Sequence, residues 1–172
     1  QTNWSGCGII SKNPAPLSLR SRKGKRNNSM IDLPALYDFA AQHSVGVYWF
    51  SLDATESLSY MDADGTCYIA MDPWWLRTLA EEKTKLAHEL GHWVTGSFYN
   101  RYAKLDLRQK HENRADKWEI EQFLPLDALE AAAHEGCTEV WDLAERFGVT
   151  EDLVRKAICW YKHGNLAVDQ YL

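Results

Sequence analysis

The chain has no long apolar run and few cysteines, and both absences limit the classes of protein to which it can belong. No stretch approaches the 18 apolar residues from which a membrane-spanning helix is predicted. No apolar segment follows a basic region near the first residues, so we expect no signal peptide. The cysteines show no C-x-x-C pairing, which favours reduced thiols, a cytoplasmic location and no cysteine ligation of a metal. They are Cys7, Cys67, Cys137 and Cys159.

Acidic residues are missing from the first part of the chain and in excess elsewhere. Of the 19 Lys and Arg residues, six lie in residues 1–31, where there is no Asp or Glu. The other 13 lie in residues 32–172 together with all 24 acidic residues, which gives that part of the chain a net charge of −11. We interpret residues 1–29 as a basic, flexible extension rather than a nucleic-acid arm. A length of 172 residues with 45% hydrophobic residues predicts one domain over 30–172, of which 126–172 form a C-terminal helical part.

Hydrophobic patterning and turn residues predict a compact α+β fold. Residues 31–41 form a helical pattern with Asp32 as N-cap. Residues 45–50 are rich in β-forming side chains, and two further short strands, 57–61 and 67–71, flank an Asp-Gly turn. These segments predict a small antiparallel β-sheet of about three strands, packed on helices.

The second half of the chain is predicted to be helical. Thr78 begins a capping box for a helix that ends near Gly96, and Pro125 ends the following helix. Thr138 and Thr150 are predicted caps for the later helices. Those helices lie near 126–135, 138–147 and 150–162.

The stretch His88-Glu89-Leu90-Gly91-His92 reads H-E-x-x-H within a helical pattern. Residues four apart share a helix face, so the two histidines can bind one Zn²⁺ ion at about 2.0–2.1 Å. Glu89 lies about 100° round the helix from His88, where a carboxylate can act as general base toward a water held by the ion. Because glycine costs a helix up to about 1 kcal/mol relative to alanine, Gly91 indicates a close approach by another element.

A catalytic zinc ion takes three protein ligands and keeps a fourth position open. The metzincin extension needs Gly and His at the positions of Thr95 and Phe98, so that class is excluded. A carboxylate from the next helix is the alternative, and we predict Glu112 as the third ligand because His₂Glu sites are well known. Glu119 and Glu121 are the competing carboxylates.

Further residues of the same helix predict support for the site. Asp116 lies one turn beyond the predicted third ligand on the same face, and Ala115 beside it permits close helix packing. We predict that Asp116 accepts the second ring N–H of a liganding histidine and so fixes its tautomer. Three residues are candidates for stabilising an oxyanion, and the sequence does not select among them: Tyr99, Tyr102 and His111.

The segment 142–154 has the pattern of a helix-turn-helix, with Gly148 at the turn. A second helix that reads DNA should be basic, whereas residues 138–164 contain five acidic and four basic residues. Glu151 and Asp152 stand at the end that would enter the groove. We therefore expect this part to pack or to dock substrate rather than to bind nucleic acid. A regulatory protein that binds a partner protein or DNA, with little proteolysis, is the alternative function.

Three blocks of the chain resemble the ImmA/IrrE-type metallopeptidases of bacteria, prophages and mobile elements. The first block contains the H-E-x-x-H motif, the second reads Glu-x-x-Ala-Asp followed by Phe-Leu-Pro, and the third contains Phe-Gly-Val-Thr. The resemblance covers about residues 30–163 and departs from the family pattern at Glu119, where a small residue is usual. The blocks are 87–92, 112–125 and 143–150.

The resemblance implies a zincin-like (gluzincin-type) metallopeptidase domain. It implies one Zn²⁺ ion held by His88, His92 and Glu112, with Glu89 as the catalytic base. It also implies a protein substrate, namely a transcriptional repressor or related regulator of a prophage or mobile element. In zinc peptidases of this build, an edge strand can hold an extended substrate by β-augmentation.

Overall fold

Six α-helices and three β-strands make up the part of the chain that the computed structural model describes, residues 31–99 and 102–168. The basic extension predicted for residues 1–29 lies outside these ranges. The compact α+β fold is confirmed, and the predicted strands 57–61 and 67–71 are found at those bounds. The elements are α1 Leu33–Gln42, β1 Gly46–Trp49, β2 Ser57–Met61, β3 Cys67–Met71, α2 Leu79–Thr95, α3 Leu105–Phe123, α4 Leu126–His134, α5 Val140–Phe147 and α6 Glu151–His163.

The sheet has the order β1-β3-β2, and its strands do not all alternate in direction. β2 runs antiparallel to β3, with Ser57 opposite Met71, but β1 runs parallel to β3, with Gly46 opposite Tyr68. The expected antiparallel sheet is therefore corrected to a mixed one. β3 carries the fully buried Ile69 and Met71 and therefore takes the centre of the sheet. β2 becomes an edge strand as a result. Because the chain reverses direction between β1 and β2 and again between β2 and β3, β1 and β3 run the same way.

Local capping explains where the helices begin. Asp32 caps α1 by accepting from a backbone N–H, and Thr78 caps α2 in a reciprocal capping box with Glu81, both as predicted. The expectation that Thr138 caps α5 is wrong. That helix starts one residue later, with Glu139 in extended conformation at the cap position and no side-chain capping bond.

α2 lies at the centre of the fold, packed against α1, the sheet and α3. Leu86 and Leu90 on this helix are fully buried in one core cluster with Ile69 of β3 and Ile120 of α3. Full burial of such a side chain contributes about 1.5–3 kcal/mol, so the helix that carries the H-E-x-x-H motif is firmly held. None of the helices in the described ranges is long and apolar enough to cross a membrane.

Candidate metal centre

α2 holds His88 and His92 one turn apart on one face, as their spacing predicts. Their rings meet edge to face with centroids 4.8 Å apart, and the two Nε2 atoms are 3.2 Å apart. The side chain of His92 is 6% exposed, whereas that of His88 is 17% exposed. Two imidazole nitrogens therefore point at the same small volume from a rigid helix.

Gly91 lets α3 approach this face of α2. A Cβ atom at this position would lie 3.0 Å from the carbonyl oxygen of Ala115 and 3.2 Å from the ring of Trp118. Those distances are too short for ordinary packing, so a larger residue would push the two helices apart. The prediction of a close approach at Gly91 is confirmed, and the structure identifies Ala115 and Trp118 as the residues that approach it.

The close packing brings Glu112 of α3 to the two histidines. Its Oε2 is 3.1 Å from Nε2 of His88, and its Oε1 is 3.6 Å from Nε2 of His92. Tetrahedral ligands at about 2.0–2.1 Å from one ion lie roughly 3.3 Å from each other. The three separations, from 3.1 to 3.6 Å, bracket that value, so the three residues form a group that fits a metal ion.

The proximity of these groups shifts their pKa values in opposite directions. Burial disfavours charge on His88, but hydrogen bonds to Asp116 and Glu112 outweigh it and raise its pKa well above 6.5. Burial and the neighbouring His88 lower the pKa of His92. Burial of Glu112 is outweighed by hydrogen bonds from His88 and Tyr99, which lower its pKa to about 2. The side chains of Glu112 and His88 thus favour each other's charged forms.

The outer ring nitrogens of the two histidines have different partners. Nδ1 of His88 lies 3.1 Å from Oδ1 of Asp116, the contact predicted for this carboxylate. Nδ1 of His92 lies 3.0 Å from the backbone oxygen of Ser97 and 3.1 Å from its hydroxyl. Ser97 was not predicted as a partner of His92, although Gly96, which ends α2 and turns the chain back toward His92, is a signal in the sequence that could have indicated it. Both rings are therefore fixed in orientation.

Glu89 is buried beside the histidines, with 5% of its surface exposed. Its Oε1 accepts a hydrogen bond of 2.7 Å from the hydroxyl of Ser57, the first residue of edge strand β2. No local pattern joins these residues, because they are 32 positions apart and meet only when α2 packs on β2. The contact orients the carboxylate and places it at the sheet edge.

An open cleft of about 620 Å³ lies in front of the three clustered residues. Of the three candidates for an oxyanion donor, Tyr99 lines this cleft, and its hydroxyl donates to Oε1 of Glu112 at 2.5 Å. The ring centroid of His111 lies 6.0 Å from that of Tyr99, and Tyr102 is 83% exposed. Neither is among the described residues that line the cleft. The geometry therefore favours Tyr99.

The two competing carboxylates do not belong to the cluster of His88, His92 and Glu112. Glu121 is exposed, and Glu119 is buried with its Oε2 3.8 Å from Nδ1 of His88, on the far side of the ring. Glu119 and Asp116 also form a group with His88 that lies within metal-binding distances. However, Nζ of Lys156 already contacts Oδ1 of Asp116 at 2.9 Å. Because like charges repel strongly at such distances, that second group is a poor cation site.

The predicted helix-turn-helix corresponds to α5 and α6, which meet at Gly148 in left-handed conformation. Glu151 and Asp152 in the first turn of α6 both pair with Arg155 of the same helix, at 2.7 and 3.3 Å. α6 also packs against α3, where Lys156 contacts Asp116. α5 and α6, which together form the C-terminal hairpin, therefore pack behind the candidate site.

No curated protein sequence matches the chain. A peptidase family model, described as the IrrE N-terminal-like domain, matches residues 47–158, which are 112 of the 172 residues. The matched region includes His88, His92 and Glu112, and it supports a metallopeptidase-type function and a protein substrate. Because the match covers more than half of its length, the chain belongs to the family of peptidases with an IrrE N-terminal-like domain.

Proposed function

We propose that the protein is a zinc-dependent metalloendopeptidase. The observation that carries the proposal is the convergence of His88, His92 and Glu112 at the base of an open cleft, with Glu89 beside them. In the proposal these three residues hold one Zn²⁺ ion, and Glu89 is the catalytic base. Asp116 accepts the Nδ1–H of His88, which keeps Nε2 directed at the ion.

Glu89, Ser57 and Tyr99 have different roles in the proposed peptide hydrolysis. A bound zinc ion supplies Lewis acidity for the scissile carbonyl and for the attacking water. Glu89 takes the proton of that water and returns it to the leaving amine nitrogen, while Ser57 holds the carboxylate in place. The hydroxyl of Tyr99 can turn from Glu112 to donate to the oxyanion that develops on the carbonyl.

Cleft geometry supports an extended polypeptide as substrate. One edge of β2 has no partner strand among the described residues and runs beside Glu89, and residues 57–59 of this strand line the cleft. A peptide added to that edge would pass the clustered residues with chain continuing on both sides, which favours cleavage at internal bonds. The substrate we propose is a transcriptional repressor or related regulator of a prophage or mobile element, in keeping with the family.

The cysteine side chains support a reducing compartment. Cys67, Cys137 and Cys159 are buried, unpaired thiols. Disulfides are rare in the cytosol, so unpaired thiols are compatible with the cytoplasmic location that we propose.

Metal content and cleavage test the proposal in one series of variants. We expect about one zinc per chain by elemental analysis and loss of zinc in Glu112→Ala, because a ligand is removed. Glu121→Ala, which changes an exposed glutamate of the same helix, should keep its zinc. Unchanged zinc stoichiometry in Glu112→Ala would exclude that residue as a ligand.

Glu89→Gln completes the series. We expect it to keep zinc and to cleave candidate regulators, such as repressors encoded nearby, about 10²- to 10⁴-fold more slowly on a gel, because a general base is lost. Full turnover by this variant would rule out the base assignment. Tight, zinc-dependent binding of a regulator without cleavage by the wild-type protein would favour the alternative, a binding protein.

A further inference from the structure

Behind the candidate metal centre, a charged side chain from the C-terminal hairpin reaches the residue that holds His88. Nζ of Lys156 lies 2.9 Å from Oδ1 of Asp116, and the same oxygen lies 3.1 Å from Nδ1 of His88. Lys156 belongs to α6, Asp116 to α3 and His88 to α2. A single carboxylate oxygen thus joins three helices, and its outermost partner is 40 positions away along the chain.

The buried carboxylate of Asp116 needs a cation. The side chain of Asp116 is only 7% exposed, and Glu119 beside it is 2% exposed, with one oxygen that has no hydrogen-bond partner among the described residues. Buried ionised groups are costly unless they are paired and hydrogen-bonded. Lys156 supplies the pairing charge. Without it, the carboxylate of Asp116 would be better solvated if it turned toward water and away from His88.

The orientation of Asp116 matters for the metal. A liganding histidine depends on an acceptor at its other ring nitrogen for its tautomer and ring angle, and loss of such an acceptor typically costs about 10- to 100-fold in metal affinity. We propose that Lys156 is a positioning residue of the metal centre, which acts through Asp116 to hold His88 in its liganding orientation. Docking of α6 on α3 would then set how tightly the metal is bound. This inference rests on the proposed function, because it requires His88 to be a metal ligand.

α6 offers a matched control for the test. Arg155, the neighbouring residue, also carries a positive charge, but it pairs with Glu151 and Asp152 of its own helix. Neutralising Arg155 therefore removes the same charge from the same helix without removing a contact to Asp116. Arginine at position 156 keeps the positive charge and can restore the pairing.

Zinc affinity, measured by competition with a chromophoric chelator, tests the inference. We expect Lys156→Met to weaken zinc binding by about tenfold or more, Lys156→Arg to recover most of the loss, and Arg155→Met to remain within about twofold of wild type. Thermal unfolding of the metal-free proteins shows whether each variant folds. Should Lys156→Met fail to fold, Lys156→Gln takes its place.

A double-mutant cycle with Asp116→Asn separates positioning from general stability. If Lys156 acts through Asp116, then Lys156→Met should cause no further loss of zinc affinity in the Asp116→Asn background. Additive losses, or a lower melting temperature with unchanged zinc affinity, would overturn the inference and leave the proposed function standing. Absence of zinc binding by the wild-type protein would instead overturn the proposed function itself.

Discussion

His88 and His92 lie one turn apart on the same helix, yet the fold surrounds them differently. Nδ1 of His88 faces the carboxylates of α3, with Lys156 of α6 behind them, whereas Nδ1 of His92 faces the neutral Ser97 in the turn that ends α2. Burial is outweighed at His88 by hydrogen bonds to carboxylates, which raise its pKa, whereas burial and the neighbouring His88 lower the pKa of His92. The two histidines are equivalent in the motif, but their surroundings in the fold differ.

The difference teaches which parts of the molecule tune the site. A carboxylate acceptor raises the basicity of a liganding imidazole in addition to orienting it. A carbonyl or hydroxyl acceptor mainly orients the ring. We therefore expect metal affinity to respond more strongly to changes behind His88, in α3 and α6, than to changes behind His92.

Acidification should have the largest effect on this comparison. Because ligating histidines must be neutral, protons compete with zinc, and a raised pKa means that His88 keeps its proton at pH values above 6.5 in the metal-free site. As the pH is lowered, zinc affinity should therefore begin to fall before pH 6.5 is reached. It should drop by more than about 100-fold between pH 8 and pH 5. Chelator competition across this range measures it. Zinc retained well below pH 5 would contradict ligation by these histidines.

Substitution of Asp116 should have the next largest effect. Asp116→Asn keeps the shape of the acceptor but removes its charge, so we expect zinc affinity about 10- to 100-fold weaker. The pH at which zinc affinity begins to fall on acidification should also be lower in this variant. The reason is that, of the contacts that raise the pKa of His88, the hydrogen bond to Asp116 is the largest. Affinity within twofold of wild type would show that the carboxylate side has no special role.

Substitution of Ser97 should have the smallest effect. Ser97→Ala removes one hydroxyl acceptor from His92, but the backbone oxygen at 3.0 Å remains. A neutral hydrogen bond contributes only about 0.5–1.5 kcal/mol, which is about 2- to 13-fold in affinity, and the remaining backbone acceptor still orients the ring. We therefore expect zinc affinity to change by less than about threefold, near the lower end of that range, measured in the same assay. Equal losses in this variant and in Asp116→Asn would remove the distinction between the two histidines.

Local sequence pattern was sufficient for much of the fold and for the centre of the site. The capping residue Thr78, the strands on either side of the Asp-Gly turn and the close approach at Gly91 follow from contacts within a few residues or from the size of one side chain. The facing of His88 and His92 follows from helix periodicity alone.

Packing between distant segments decided the rest. Selection of Glu112 over Glu119 depends on how α3 rotates against α2, which puts the two glutamates at opposite nitrogens of one imidazole ring. The parallel pairing of β1 with β3 and the bond from Ser57 to Glu89 likewise join residues far apart in the chain. No periodicity encodes such contacts, because burial and the fit of whole elements determine them. The H-E-x-x-H motif and the supporting carboxylate Asp116 can therefore be predicted from the sequence, whereas Ser97 behind His92 and Lys156 behind Asp116 are identified only in the folded structure.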